Sequence, residues 1–159
     1  TGIHSEIYKS RDNINSIAHA HPMYGKTFST LGKTLDPISQ DSCAFYERTA
    51  LFADYDGVAN GPDEGINIAK ALGEKDFVIL QNHGILTTGT MVDTTIWYFL
   101  NMEDACKSQL LAEAVGKPII IPHETACATR DYVANDLSAY VSFQPTVDVL
   151  WEEEPDLLD

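Results

Sequence analysis

Three histidines carry the chemistry that this sequence offers. His19 and His21 stand two residues apart in Ile17-Ala18-His19-Ala20-His21-Pro22, a β-like run that stops at a proline. In a strand, residues i and i+2 share a face, so both imidazoles point the same way where a loop opens. His83 follows the apolar run Phe77-Val78-Ile79-Leu80, inside Asn82-His83-Gly84. Three neutral imidazoles converging from two strand ends make a facial metal site with open coordination positions, as in a catalytic rather than a closed structural site. Each motif alone is weak. A His-x-His pair often makes only ordinary hydrogen bonds, and turns favour Asn and Gly around whatever residue lies between them. Together they gain force, because both strands are apolar enough to be central and α/β folds place their sites at strand ends.

The elements that must position these residues follow from the pattern of the chain. Ile3 and Ile7 fit an amphipathic helix over residues 2–10, and Arg11-Asp12-Asn13 a turn. A strand over 15–21 comes next, then a helix opened by Pro22, with Met23, Thr27 and Leu31 at four-residue spacing and Gly32 as its stop. Residues 50–53 read as a short strand or a buried run. Asp56-Gly57 and Asn60-Gly61-Pro62 are turn signals, and a helix over 62–72 ends at Gly73. Strands over 76–81 and 85–88 flank the tight turn at Asn82-His83-Gly84 and are expected to pair as a hairpin. The longest helix begins after Thr90, its expected cap, and presents Val92, Ile96, Phe99, Leu100, Cys106 and Leu110 as an apolar stripe. It ends at Gly116 and Pro118. A last helix is expected over 125–141, with a loop and tail beyond it. Strands and helices alternate, which favours a layered α/β domain.

Composition sets the outer limits. The chain has 159 residues, enough for one domain with a real core. No apolar run approaches the roughly 20 residues that span a bilayer. Formal net charge is −14, which argues against nucleic acid or an anionic membrane as partner, because phosphate would be repelled. Much of the excess lies in the tail after Trp151, from Glu152-Glu153-Glu154 to Asp159. The three cysteines, Cys43, Cys106 and Cys127, form no CxxC pair and read as small hydrophobes in a reducing, cytoplasmic setting. Gly57, Gly61 and Gly65 follow no nucleotide-binding fingerprint.

The same residues bring a family into view. His4, the run Ser16-Ile17-Ala18-His19-Ala20-His21-Pro22 and the run Leu80-Gln81-Asn82-His83-Gly84-Ile85 resemble the class II aldolase/adducin family. That family includes fuculose-phosphate and rhamnulose-phosphate aldolases, ribulose-phosphate 4-epimerases, a methylthioribulose-phosphate dehydratase and some decarboxylases. The resemblance runs from Thr1 to about Phe143. It implies a three-layer α/β/α domain with a central, mostly antiparallel sheet, and a homo-oligomer, commonly a tetramer, with sites between subunits. It carries the family's metal ligands onto His19, His21 and His83, with a divalent ion, Zn²⁺ first and Mn²⁺ second. Leu35-Asp36-Pro37-Ile38-Ser39-Gln40-Asp41 looks most like the longer members rather than the sugar-phosphate aldolases. Counting back, the family's acid/base glutamate falls just upstream of Thr1, as does its phosphate-binding segment. The catalytic acid/base is therefore not assigned. On this reading residues 1–150 are the aldolase/adducin domain without its N-terminal part, and 151–159 an acidic tail.

His4, Gln40, Asp41 and Asn82 are candidates to support the ligands or contact a substrate. His123 is expected in a surface loop. Tyr46 is read as packing, Tyr132 and Tyr140 as core or interface, and part of Trp97-Tyr98-Phe99 as meeting another subunit. The resemblance implies a lyase that breaks a C–C bond of a small hydroxy-carbonyl, hydroxy-acid or sugar-phosphate substrate through a metal-stabilised enediolate. The same stabilised anion serves decarboxylation and dehydration, so those alternatives stay open. An adducin-like interaction module without catalysis is the third, although adducins lose the ligands that this chain keeps.

Overall fold

The computed structural model describes residues 2–54 and 62–158. The turn signals at Asp56-Gly57 and Asn60-Gly61 lie outside the described residues. In chain order the elements are α1 (Gly2–Ser10), β1 (Ser16–Ala20), α2 (Met23–Ser29), a short 3-10 helix (Ser42–Phe45), β2 (Thr49–Phe52), α3 (Pro62–Leu72), β3 (Phe77–Leu80), β4 (Gly84–Gly89), α4 (Val92–Val115), α5 (His123–Val133) and α6 (Asp136–Glu153), closed by a 3-10 turn at Pro155–Leu158.

The four strands form one sheet in the order β1-β4-β3-β2. β1 and β3 each pair antiparallel with β4, and β2 runs parallel to β3. The expected hairpin is present: Leu80 faces Gly84 across the turn Gln81-Asn82-His83. β3 reads as an unbroken apolar run because both of its faces are covered. Phe77 and Ile79 point to one side, into a core with Phe28, Phe45, Ile85, Tyr98 and Met102 from α2, α4 and their neighbours. Val78 and Leu80 point to the other, into a core with Ile7, Ile68, Leu72 and Leu86, under α1 and α3. Two cores on opposite faces of one sheet are the three-layer α/β/α arrangement. Phe28, Phe45, Phe77, Ile79, Ile85, Met102, Ile7, Ile68, Leu72, Leu80 and Leu86 are fully buried in them, each worth roughly 1.5–3 kcal/mol relative to exposure.

Several local expectations are corrected. The stripe of α4 is not the one its apolar residues draw. Val92 and Leu100 are 64% and 49% exposed, while the buried face carries Thr94, Thr95, Tyr98, Met102, Ala105, Cys106 and Gln109. Its threonines and glutamine are all satisfied: the Thr94 and Thr95 hydroxyls donate back to the Met91 carbonyl at 3.0 and 2.8 Å, while Gln109 accepts from the Asp36 N–H at 2.8 Å and donates to Asp36 and Glu113 at 2.7 and 2.8 Å. Thr90 does not cap α4. Met91 holds the cap position without a side-chain bond, and the Thr90 hydroxyl donates to Asp136 at 2.8 Å instead.

The expected last helix is two. Asn135 sits in extended backbone and its side chain accepts from the Ser138 N–H at 3.0 Å, which starts α6 afresh. α6 then runs through Pro145 to Glu153, where the sequence suggested loop. His123 opens α5 rather than standing in a loop. Tyr132 and Tyr140 are exposed, at 82% and 40%, so neither belongs to this chain's core.

Candidate metal centre

β1 and the β3–β4 hairpin bring the three histidines to one end of the sheet. The ring centroids of His19 and His21 lie 5.2 Å apart, those of His19 and His83 4.9 Å, and those of His21 and His83 4.5 Å. One ring nitrogen from each lies within 4.8 Å of the other two. His19 is the last residue but one of β1, paired with Leu86 of β4. His21 follows the strand directly. His83 enters from the hairpin turn, whose preceding residue Asn82 takes φ 58°, a left-handed conformation that asparagine tolerates better than most residues. The turn is tied by backbone bonds from His83 N to Leu80 O at 3.0 Å and from Asn82 N to Ser29 O at 3.3 Å.

Gly84 lets the two halves of the site meet. A Cβ there would lie 2.5 Å from the Ala20 carbonyl oxygen and 3.1 Å from the His21 ring. Glu103 is a residue that sequence reading missed. From α4 its carboxylate accepts the backbone N–H groups of Tyr24 and Gly25. It thereby holds the start of α2, immediately after His21-Pro22, where free amide hydrogens and the helix dipole favour an anion. No short motif marks it, since its partners lie 78 and 79 residues away.

The donor set fits a divalent metal. His19 Nδ1 lies 2.9 Å from the Ile85 carbonyl, so a neutral ring donates there and turns its Nε2 lone pair outward. Burial is the main force that lowers the His19 pKa from 6.5 to about 4. The neighbouring His83, His21 and His4 lower it further, against the raising effect of the Ile85 bond. His83 is lowered too, by burial first and then by His21. Rings that resist protonation are the rings that can ligate near neutrality.

This has a consequence for stability. The unfolded chain takes up a proton on His19 near pH 6.5, whereas the folded chain does so only near pH 4. The contribution is therefore complete above the unfolded value and is lost as pH falls from 6.5 towards 4. Metal-free protein is expected to lose thermal stability over that window, and His19→Gln to lose less. Melting curves taken with chelator across the window check this, and equal slopes in the two proteins would refute it.

The supporting candidates separate. His4, on α1, is near enough to His19 to depress its pKa. Asn82 sits in the hairpin turn that carries His83. Gln40 and Asp41 are not among the residues drawn to the triad. With Ala44, Trp97, Asn101 and Tyr132 they line a different cavity of about 230 Å³.

A three-layer α/β/α domain with this sheet defines a class II aldolase fold. The family model for the "Class II Aldolase and Adducin N-terminal domain" matches residues 1–110, and the chain belongs to the class II aldolase/adducin family. Over 155 residues it is 37% identical to "Decarboxylase NovR" of Streptomyces niveus, covering 98% of this chain and 57% of that protein. It is 36% identical, also over 155 residues, to the "4-hydroxy-3-prenylphenylpyruvate oxygenase/4-hydroxy-3-prenylbenzoate synthase" of Streptomyces roseochromogenus subsp. oscitans, covering 98% of this chain and 56% of that one. Among solved structures, the "L-fuculose 1-phosphate aldolase from Glaciozyma antarctica PI12" superposes with a TM-score of 0.88 at 39% identity, over 97% of this chain and 58% of that one. The chain thus spans a little over half the length of these relatives. Among the described residues, no helix is long and apolar enough to cross a membrane.

Proposed function

We propose that this chain carries the metal centre of a C–C lyase acting on a small hydroxy-carbonyl or hydroxy-acid substrate, with His19, His21 and His83 as ligands and Zn²⁺ as the ion. The observation that carries the reading is the convergence of three imidazoles, two of them kept neutral by burial, at the open end of a sheet. A divalent ion held there supplies a Lewis acid for the anion left when a bond beside a carbonyl breaks.

The chain's own residues set the conditions for that chemistry. The Ile85 carbonyl fixes the His19 ring and its tautomer. Glu103 holds α2 and so the segment that follows His21. His21 is exposed while His19 and His83 are half-buried, so the site has a closed floor and an open mouth for substrate. A homo-oligomer with a small-molecule substrate fits the family.

Decarboxylation is the second reading, and a specific observation favours it. The relative from Streptomyces niveus is named a decarboxylase, and it matches the chain almost end to end. Loss of carbon dioxide from an acid and retro-aldol cleavage leave the same kind of anion, so one centre serves either.

Products decide between them. Zinc-loaded protein is incubated with sugar phosphates, hydroxy acids and aromatic 2-oxo acids, and carbon dioxide and aldehyde are measured separately. An aldehyde fragment supports aldol cleavage, and carbon dioxide without aldehyde supports decarboxylation. Failure of the triad to take up any divalent ion would overturn both.

A further inference from the structure

A second group of metal-ligating side chains lies away from the triad. Glu47 follows the first 3-10 helix, and His123 and Cys127 stand four residues apart on one face of α5. The Cys127 sulfur is 3.8 Å from each ring nitrogen of His123 and 3.9 Å from Glu47 Oε2, and Glu47 Oε1 is 3.7 Å from His123 Nδ1. One ligand atom from each of the three residues lies within 4.8 Å of the other two. A tetrahedral zinc ion with bonds of about 2.0–2.3 Å has ligand-to-ligand edges of roughly 3.3–3.7 Å. The observed spacings need to close by only a few tenths of an ångström.

We propose that Glu47, His123 and Cys127 form a second cation site, for zinc or a similar thiophilic divalent ion, independent of the histidine triad. Three features of the fold support it. Glu47 takes φ 60°, uncommon for a residue that is not glycine, and the chain so bent presents the carboxylate to α5. The Tyr46 hydroxyl lies 3.1 Å from His123 Nδ1 and holds the ring beside Glu47 and Cys127. A thiolate, an imidazole and a carboxylate together select zinc over magnesium or calcium, which prefer oxygen alone.

The contacts now in place are weak competitors. Glu47 faces Arg130 at 3.6 Å and His123 at 3.7 Å, and its own side chain is 53% exposed. The His123 pair is exposed on both sides, and pairs of that kind contribute little and are readily exchanged for a metal bond. Binding releases the Cys127 thiol proton to solvent and ties α5 to the segment after the 3-10 helix, with the fourth position left to water.

Cobalt(II) tests this directly, because a sulfur-to-cobalt charge-transfer band in the near ultraviolet needs a thiolate ligand and the triad has none. The purified chain titrated with cobalt is expected to show the band at one equivalent of this site. The band persists in His19→Ala and is lost in both Cys127→Ser and His123→Ala. Zinc is expected to slow alkylation of Cys127 at least tenfold, and to raise the melting temperature of His19→Ala but not of His19→Ala/Cys127→Ser. A protein that fills its triad without the band, a band that survives Cys127→Ser and disappears only in Cys43→Ser, or alkylation indifferent to zinc overturns the proposal. None of these readouts depends on turnover, so they stand or fall apart from the lyase reading.

Discussion

Replacing His83 with alanine is expected to strip the triad of its metal and to end turnover while leaving the fold in place. His83 closes the site. Its ring is 4.5 Å from that of His21 and 4.9 Å from that of His19, and it arrives from the β3–β4 hairpin rather than from β1. Without it, two imidazoles from one strand remain, and a three-point chelate becomes a two-point one. Loss of an outer partner of a metal ligand already costs roughly 10–100-fold in affinity or activity, so loss of a ligand itself is expected to exceed 100-fold in both. The fold is spared because the turn rests on backbone bonds and the flanking cores lie elsewhere. The measurement is zinc per chain by elemental analysis, with turnover and melting temperature, made in a Cys127→Ser background so that only the triad is counted. A variant that keeps both its metal and its turnover would remove His83 from the site.

Much of this arrangement is legible in the sequence, for physical reasons. The triad shows because its spacing is local: two histidines at i and i+2 on a strand that ends in proline, and a third in a turn after an unbroken apolar run. β3 is legible because burial on both faces forces Phe77-Val78-Ile79-Leu80 to be apolar throughout. The stripe of α4 is not, because its inward face uses Thr94 and Thr95, whose hydroxyls turn back onto the Met91 carbonyl, and Gln109, whose partner Asp36 comes from a distant segment. Glu103 escapes for the same reason, since a carboxylate on a helix looks like solvent-facing charge until α2 is laid across it. The group at Glu47, His123 and Cys127 escapes because 76 residues separate the carboxylate from the imidazole, and only the docking of α5 beside the first 3-10 helix joins them. Periodicity reports which residues are apolar. It does not report which polar residues will find partners.

Gly84→Ala is expected to damage both the fold and the centre, and in a way that separates geometry from ligand identity. The added carbon would stand 2.5 Å from the Ala20 carbonyl oxygen, closer than real contacts allow, and 3.3 Å from its carbon, and the obstacle is backbone rather than a flexible side chain. Ala20 pairs with Ile85 at the end of β1, so relief requires that end of β1 to withdraw from β4. Both His19 and His21 ride on that segment, and the His21 ring itself lies 3.1 Å from the added carbon. Overpacking of this kind costs about 1–3 kcal/mol, and at roughly 2–4 °C per kcal/mol for a chain of this size the melting temperature is expected to fall by about 2–12 °C. Zinc affinity at the triad falls with it, because the ligands are displaced. All three imidazoles remain, however. Metal that binds only the folded state stabilises it in proportion to the logarithm of its concentration over the dissociation constant, so excess zinc is expected to recover a large part of the lost stability. His83→Ala, which lacks a ligand, gains no such recovery. Thermal melts of the two variants against zinc concentration, again in the Cys127→Ser background, read this difference. An unchanged melting temperature and affinity in Gly84→Ala would mean that β1 is not held against the hairpin at that point, and that another contact sets the separation of the three rings.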